Sequence, residues 1–276
     1  MNRAILALVV MLAITGSAYA QKGDLTLKSR AALIFDAQQG HAIYSKNTDT
    51  IMPIASITKL MTAMVVLDAQ LPLAEEITID SADIDVLKNT RSRLKVGSSL
   101  TRQQLLRLAL MSSENRAAAA LGRAYPGGIE AFVSAMNNKA FELGMGNSRF
   151  VDSTGLSSSN VSTARDLVKM VEAAHFYEEI RDFSTTTSHA LDSPDYRRGL
   201  KYTNSNNLVS NGQWQIGVSK TGFLSAAGRC LVMQANITGK PVIIVLLDSN
   251  GKKTRIGDAI RIKQWMEASL TRKRSS

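Results

Sequence analysis

The sequence predicts an α/β domain whose sheet is built from both ends of the chain around a helical middle. Three observations predict it. Short strand-like runs open the chain, a long stretch of helical period follows, and three more apolar runs come near the end. Residues 31–36 (AALIFD) and 41–45 (HAIYS) read as two strands, and Gln39-Gly40 between them reads as a hairpin turn. Pro53 interrupts the chain. Ser56 to Ala69 is then long, apolar and free of Gly and Pro, which predicts a mostly buried helix with Ser56 at or near its first turn. Residues 75–175 are mainly helical in character and form the inserted lobe. Within them Thr101 caps a helix through Leu105, Leu106 and Leu108. An Ala-rich helix covers 113–124. Gly127-Gly128 separates it from a helix over 129–143, which Gly144 closes. Thr163 to Ala174 forms one more amphipathic helix, and 152–162 and 184–213 read as polar loops. Residues 214–220, 228–237 and 241–247 are strands, and 254–269 is a closing helix before the basic tail Arg272-Lys273-Arg274.

The N-terminus sets the compartment. Arg3, an apolar run from Ala4 to Ile14 and the end Ala18-Tyr19-Ala20 have the layout of a cleaved secretory signal peptide. The apolar run is short for a spanning anchor, which needs about 20 residues. Residues 1–20 are therefore expected to be removed, leaving one domain over 21–276 with no transmembrane anchor. Cleavage takes only Arg3 from a formal net charge of +10, so the exported chain stays strongly basic. That charge attracts polyanions. With 5% aromatic residues and no basic stretch interleaved with aromatics, nucleic acid is a poor candidate. Anionic cell-wall polymers suit an exported protein better, and the tail leaves room for loose wall or membrane association. Cys230 is the single cysteine, so no intrachain disulfide can form, and its apolar setting reads as a buried thiol. His41, His175 and His189 lack metal-ligand spacing and read as surface or loop residues; no metal or cofactor is expected.

Three short motifs carry chemistry. In Ser56-Ile57-Thr58-Lys59 the i, i+3 spacing puts both side chains on one helix face. A serine hydroxyl needs a base, and a lysine amine serves if burial, a second cation or the helix dipole keeps it neutral. A lysine among Leu60, Met61 and Met64 meets that need. Ser113-Glu114-Asn115 starts the Ala-rich helix. Ser and Asn there are ordinary caps on one reading. On the other, Ser113 relays a proton and the Asn115 amide holds a peptide backbone. Lys220-Thr221-Gly222 ends the strand 214–220. It is a solvated turn on one reading. On the other, Lys220 is the second cation, the strand pairs with an extended peptide, and Gly222 permits close approach. Each motif is weak alone; their order and settings carry the weight.

With Pro53 to Thr62, Met111 to Asn115, Ser162 to Leu167 and Ser219-Lys220-Thr221-Gly222, the chain resembles the low-molecular-mass penicillin-binding proteins of the S11 D-Ala-D-Ala peptidase family over residues 28–270. It resembles the periplasmic endopeptidases of that family most. The resemblance implies the penicillin-binding transpeptidase/β-lactamase-like fold, with an antiparallel sheet. It also implies an acyl-enzyme on Ser56, with Lys59 as base and Ser113, with Lys220, as proton donor to the leaving amine. Asn115, Lys220, Thr221, Gly222 and Phe223 would bind substrate, and the N–H groups of Ser56 and Phe223 would form the oxyanion hole. Peptidoglycan stem peptides are the implied substrates and β-lactams the inhibitors. Two departures stand out: the chain ends soon after the closing helix, without the β-rich second domain and membrane anchor of carboxypeptidase relatives, and Ser205 stands where they carry a carboxylate-binding arginine. Both favour an endopeptidase over a carboxypeptidase. A serine β-lactamase would need a deacylating acid, and in 152–162 only Asp152 is acidic.

Overall fold

The computed structural model describes residues 25–191, 196 and 199–275. The expected signal peptide and the side chains of the basic tail lie outside the described residues. In chain order the elements are β1 (Ala31–Asp36), β2 (His41–Lys46), β3 (Met52–Pro53), α1 (Thr58–Asp68), β4 (Glu76–Thr78), β5 (Ser99–Thr101), α2 (Arg102–Met111), α3 (Asn115–Arg123), α4 (Gly128–Glu142), β6 (Val161–Ser162), α5 (Ala164–His175), α6 (Glu178–Thr185), β7 (Ser188–Leu191), β8 (Leu200–Thr203), α7 (Asn207–Ser210), β9 (Gln215–Leu224), β10 (Gly228–Ile237), β11 (Lys240–Ser249) and α8 (Thr254–Ser275).

The main sheet runs β2-β1-β11-β10-β9, and every pair is antiparallel. The first and last strands of the chain meet at its centre, where Leu33 faces Val245 and Ile34 faces Ile244. Strand β11 is apolar at every step because both its faces are covered. Ile243, Val245 and Leu247 join Leu33, Val232 and Val218 under the helices of the lobe. Val242, Ile244 and Leu246 join Ile34, Leu231 and Met233 under Ala259, Ile262 and Met266 of α8. Cys230 is buried and unpaired in the first of these layers. Helix α1 is buried all round, Thr58 to Val66, as a helix without a polar face must be.

Most boundaries follow the sequence. Thr101 and Gln104 form a capping box on α2, Thr163 caps α5, and Gly40 takes φ +69° in the first hairpin. Three differ. The stretch 184–213 contains the end of α6, a β7–β8 hairpin and α7; its strands are too short for the alternation to show. The nominally helical 75–175 also holds the β4–β5 hairpin, and α5 packs on β1, β10 and β11 rather than on the lobe alone. Strand β9 does not stop at Lys220: Gly222 pairs opposite Cys230, and the ladder continues to Leu224.

Helix α8 is fastened to the start of β1 by one carboxylate. Asp258, fully buried, accepts the Lys28 N–H (3.0 Å), the Ser29 N–H (2.7 Å) and the Ser29 hydroxyl (2.6 Å), and it pairs with Arg261. Replacing it leaves buried donors unpaired. Asp258→Ala is expected to lower folding stability by about 3 kcal/mol in urea unfolding, with Asp258→Asn losing less.

Candidate active site

Three segments distant in sequence meet at the cleft between the sheet and the lobe. Ser56 sits on a 3₁₀ turn, Ala55–Ile57, that leads into α1. Lys59 is one turn further on, fully buried, and its Nζ lies 3.0 Å from Ser56 Oγ. The same nitrogen contacts Asn115 Oδ1 at 2.7 Å and the Thr154 carbonyl at 2.5 Å. A neutral amine has two N–H bonds and one lone pair. Donating to the two carbonyl oxygens aims the lone pair at the Ser56 hydroxyl. Burial lowers the Lys59 pKa to about 7, against the opposing pull of Asp152, Glu114 and Asp85.

Ser113 occupies the turn between α2 and α3. It adopts φ +62°, the position that usually follows a helix C-cap and favours glycine. The Ser112 and Glu114 N–H groups both close on the Leu108 carbonyl, which ends α2 sharply. The hydroxyl of Ser113 accepts a 2.8 Å hydrogen bond from Lys220 Nζ, which also donates to the Thr221 carbonyl at 3.0 Å. Lys220 is buried in mid-strand, and burial first, then the charges of Lys59 and Arg255, hold its pKa well below the usual lysine value. Repulsion between the two buried amines disfavours both being charged, so they titrate as a pair. The expectation that Lys220 keeps Lys59 neutral therefore changes emphasis: desolvation is the leading cause at Lys59, and the repulsion weighs on Lys220.

The remaining expected residues are also here, some in other roles. Both ends of the Asn115 amide are engaged, Oδ1 by Lys59 and Nδ2 by donation to Thr90 Oγ1 at 3.0 Å, so Asn115 holds the Lys59 amine as well as facing the cleft. Thr221 Oγ1 donates to Ser205 Oγ at 2.8 Å. Phe223 is exposed, with the Arg229 guanidinium 4.3 Å from its ring centre. Gly222 lets β9 lie against the turn that carries Ser56: a Cβ there would stand 2.9 Å from the Ile54 carbonyl and 3.2 Å from Ser56 N.

Sequence reasoning missed two groups. Asp152 to Asn160 forms a loop organised by the Asp152 carboxylate, which accepts from Thr154 N and Oγ1, Gly155 N, Ser157 N and Asn160 Nδ2 at 2.6–3.0 Å. Burial opposes its charge, but these bonds outweigh burial and hold its pKa down. The loop delivers the Thr154 carbonyl to Lys59, and Gly155 presses on the Ala55–Ser56 peptide. An Asx-turn pattern in Asp-Ser-Thr-Gly was the available signal. The other is Arg255 on α8, whose Nε and Nη1 are buried without a hydrogen-bond partner and whose charge bears on Lys220. An isolated arginine gives no sequence signal. Of the histidines, His41 is exposed, while His175 in the last turn of α5 and His189 on β7 are half-buried. Among the described residues no three His, Cys, Asp or Glu side chains gather as a metal site would require.

Known proteins resemble this chain in sequence and in fold. The chain is 49% identical over 243 residues to a D-alanyl-D-alanine endopeptidase of Pseudomonas aeruginosa, covering 87% of this chain and 78% of that one. The identity and coverage are the same for a D-alanyl-D-alanine endopeptidase of Escherichia coli K12. Among solved structures, the Streptomyces K15 DD-transpeptidase superposes with a TM-score of 0.81 at 31% identity, covering 88% of this chain and 98% of its own. A D-alanyl-D-alanine carboxypeptidase of Mycobacterium tuberculosis H37Rv superposes at 0.79 and 26%, covering 90% and 95%. The sequence pattern of peptidase S11, D-alanyl-D-alanine carboxypeptidase, matches residues 17–251, and the chain belongs to that family.

Proposed function

We propose that this protein is a serine D,D-endopeptidase that cleaves D-alanyl cross-links in peptidoglycan through an acyl-enzyme on Ser56. The observation that carries the reading is the 3.0 Å contact between Ser56 Oγ and a buried Lys59 amine whose other contacts are both acceptors. Ser56 Oγ attacks the D-alanyl carbonyl carbon as its proton passes to Lys59 Nζ. The carbonyl oxygen becomes an oxyanion held by the N–H groups of Ser56 and Phe223. The C–N bond then breaks, and Ser113 gives its proton to the departing amine; the proton that Lys59 took from Ser56 replaces it, relayed with Lys220, so both amines end as they began. Water cleaves the ester and returns the Ser56 hydroxyl. The donor peptide lies along β9, which is the edge of its sheet and so has backbone groups free for an extended strand. Lys220, Thr221 and Gly222 line that edge, and Asn115 faces it.

The 49% identity to two proteins named endopeptidases supports the endopeptidase reading over a carboxypeptidase. Ser205 supports it too, because it holds Thr221 where carboxypeptidase relatives have an arginine. Asp152 argues against a β-lactamase: its oxygens are committed to its own loop. The same reading makes residues 1–20 a cleaved signal peptide and the periplasm the site of action. The substrates are peptidoglycan stem peptides, and β-lactams acylate Ser56.

Purified enzyme is expected to split cross-linked muropeptide dimers, and Ser56→Ala to abolish both this and the one-equivalent mass gain from a β-lactam. Release of free D-Ala from pentapeptide with dimers left intact would instead assign a carboxypeptidase. The acylation rate should also report the Lys59 pKa. The neutral amine is the active form, so the rate is expected to fall about tenfold per unit as pH drops below about 7 and to level off above it. A rate independent of pH from about 5 to 9 would remove Lys59 as base. Gly155 tests the backbone of the nucleophile turn. A Cβ there would lie 2.1 Å from the Ala55 carbonyl, at a φ of +79°. Gly155→Ala should slow β-lactam acylation by roughly 10²-fold or more, the scale of losing one oxyanion donor, and stopped-flow acylation measures it.

A further inference from the structure

A cavity of about 300 Å³ opens beside Ser113, walled by Arg91, Arg93, Glu114, Tyr202 and Thr203. Its position follows from the proposed function. Ser113 protonates the leaving amine, so a space that Ser113 lines receives the strand that departs. Its exposed charged groups, Arg91 and Arg93, are both cationic. Arg91 is exposed and makes no ion pair or hydrogen bond among the described residues. The Arg93 guanidinium stacks 4.0 Å over the Tyr202 ring and spends one of its five N–H donors on the Lys201 carbonyl, at 2.9 Å.

Tyr202 gives the independent sign that something belongs there. Its side chain is 4% exposed and its hydroxyl makes no well-formed hydrogen bond; the Arg93 guanidinium beside it is a donor and leaves the phenol O–H without an acceptor. Buried hydroxyls are nearly always paired. Burial, then the Glu114 charge, raises its pKa, so it remains protonated and can only gain by meeting an acceptor. Glu114, the acid in the wall, is itself buried and bonded by the Ser92 hydroxyl; burial raises its pKa against the pull of that bond and of Lys59 and Arg116. The arginines ride on a loop held in place. Asp85 accepts from Leu87 N, Lys88 N and Thr90 N at 2.9 Å and from Thr90 Oγ1 at 2.7 Å, and Asn115 ties Thr90 to the site.

We propose that Arg91, Arg93 and the Tyr202 hydroxyl form a subsite for a free carboxylate of the leaving peptide strand, beyond the D-alanyl bond that is cut. This rests on the endopeptidase reading. Two guanidinium groups and a phenol recognise a carboxylate by charge-assisted hydrogen bonds. A carboxamide keeps the size of that group but loses its charge.

The test compares two cross-linked muropeptide dimers, identical except that the leaving strand carries free carboxylates in one and carboxamides in the other. The wild-type exported chain is expected to show a KM at least about tenfold lower for the free acid, with kcat changed less. In the Arg91→Gln/Arg93→Gln double variant that KM ratio should shrink to about twofold, and Tyr202→Phe should reduce it by about threefold. Equal KM values for the two dimers with the wild-type enzyme would overturn the subsite. So would a double variant that cleaves both dimers and keeps the full ratio. Cleavage of neither dimer by an enzyme that still takes up one β-lactam would instead overturn the endopeptidase reading, and the subsite with it.

Discussion

An ammonium group gives up several kcal/mol of hydration when it is buried without a counter-ion, and this fold buries two of them side by side. Lys59 and Lys220 are each at most 1% exposed. Neither forms an ion pair among those found between described residues. The chain relieves the cost by giving up charge, and a neutral lysine is a base. The same desolvation that would make a poor core thus makes a reactive site. Helix α1 is buried from Thr58 to Val66, so the packing around it keeps water from Lys59.

Holding that amine requires contacts that local sequence cannot supply. Asn115 comes from the lobe, Thr154 from the loop that Asp152 organises, and Lys220 from the edge strand. The backbone must come very close to let them meet. Gly155 and Gly222 both lie against the Ala55–Ser56 turn, where any Cβ would collide with a backbone atom. Ala55 at φ +48° and Ser113 at φ +62° take left-handed conformations that cost non-glycine residues about 1 kcal/mol or more each. The two strained residues flank or carry the two serines. The doubly covered sheet supplies the stability that keeps them there.

The elements with a clear period were legible from sequence. The end strands, the buried helix after Ser56, and the caps at Thr101 and Thr163 all follow from apolar spacing and hydrogen-bonding side chains. The Ser-Lys pair was legible for the same reason, because i, i+3 is a local geometry. What was not legible depends on register or on tertiary contact. Whether Lys-Thr-Gly ends a strand or lies within it depends on the partner strand, and Cys230 opposite Gly222 carries the ladder onward. The second role of Asn115, as an acceptor for Lys59, joins residues 56 positions apart. The orphaned nitrogens of Arg255 appear only once α8 is packed.

The committed state of Asp152 bears on how the acyl-enzyme is released. An acid that receives five hydrogen bonds from its own loop cannot take a proton from water without breaking that loop, and the loop also positions the Thr154 carbonyl on Lys59. On the proposed mechanism, deacylation reuses the acylation machinery, with water entering where the leaving amine stood, between Ser113 and the two lysines. A cross-linked peptide vacates that place, because its leaving strand diffuses away. A β-lactam does not, because its leaving nitrogen stays tethered to the acyl group after the ring opens. On that mechanism one arrangement leads to turnover of peptide and to long-lived acylation by penicillin-like compounds: the route for water is the route of the departing amine, and only one of the two ligands clears it.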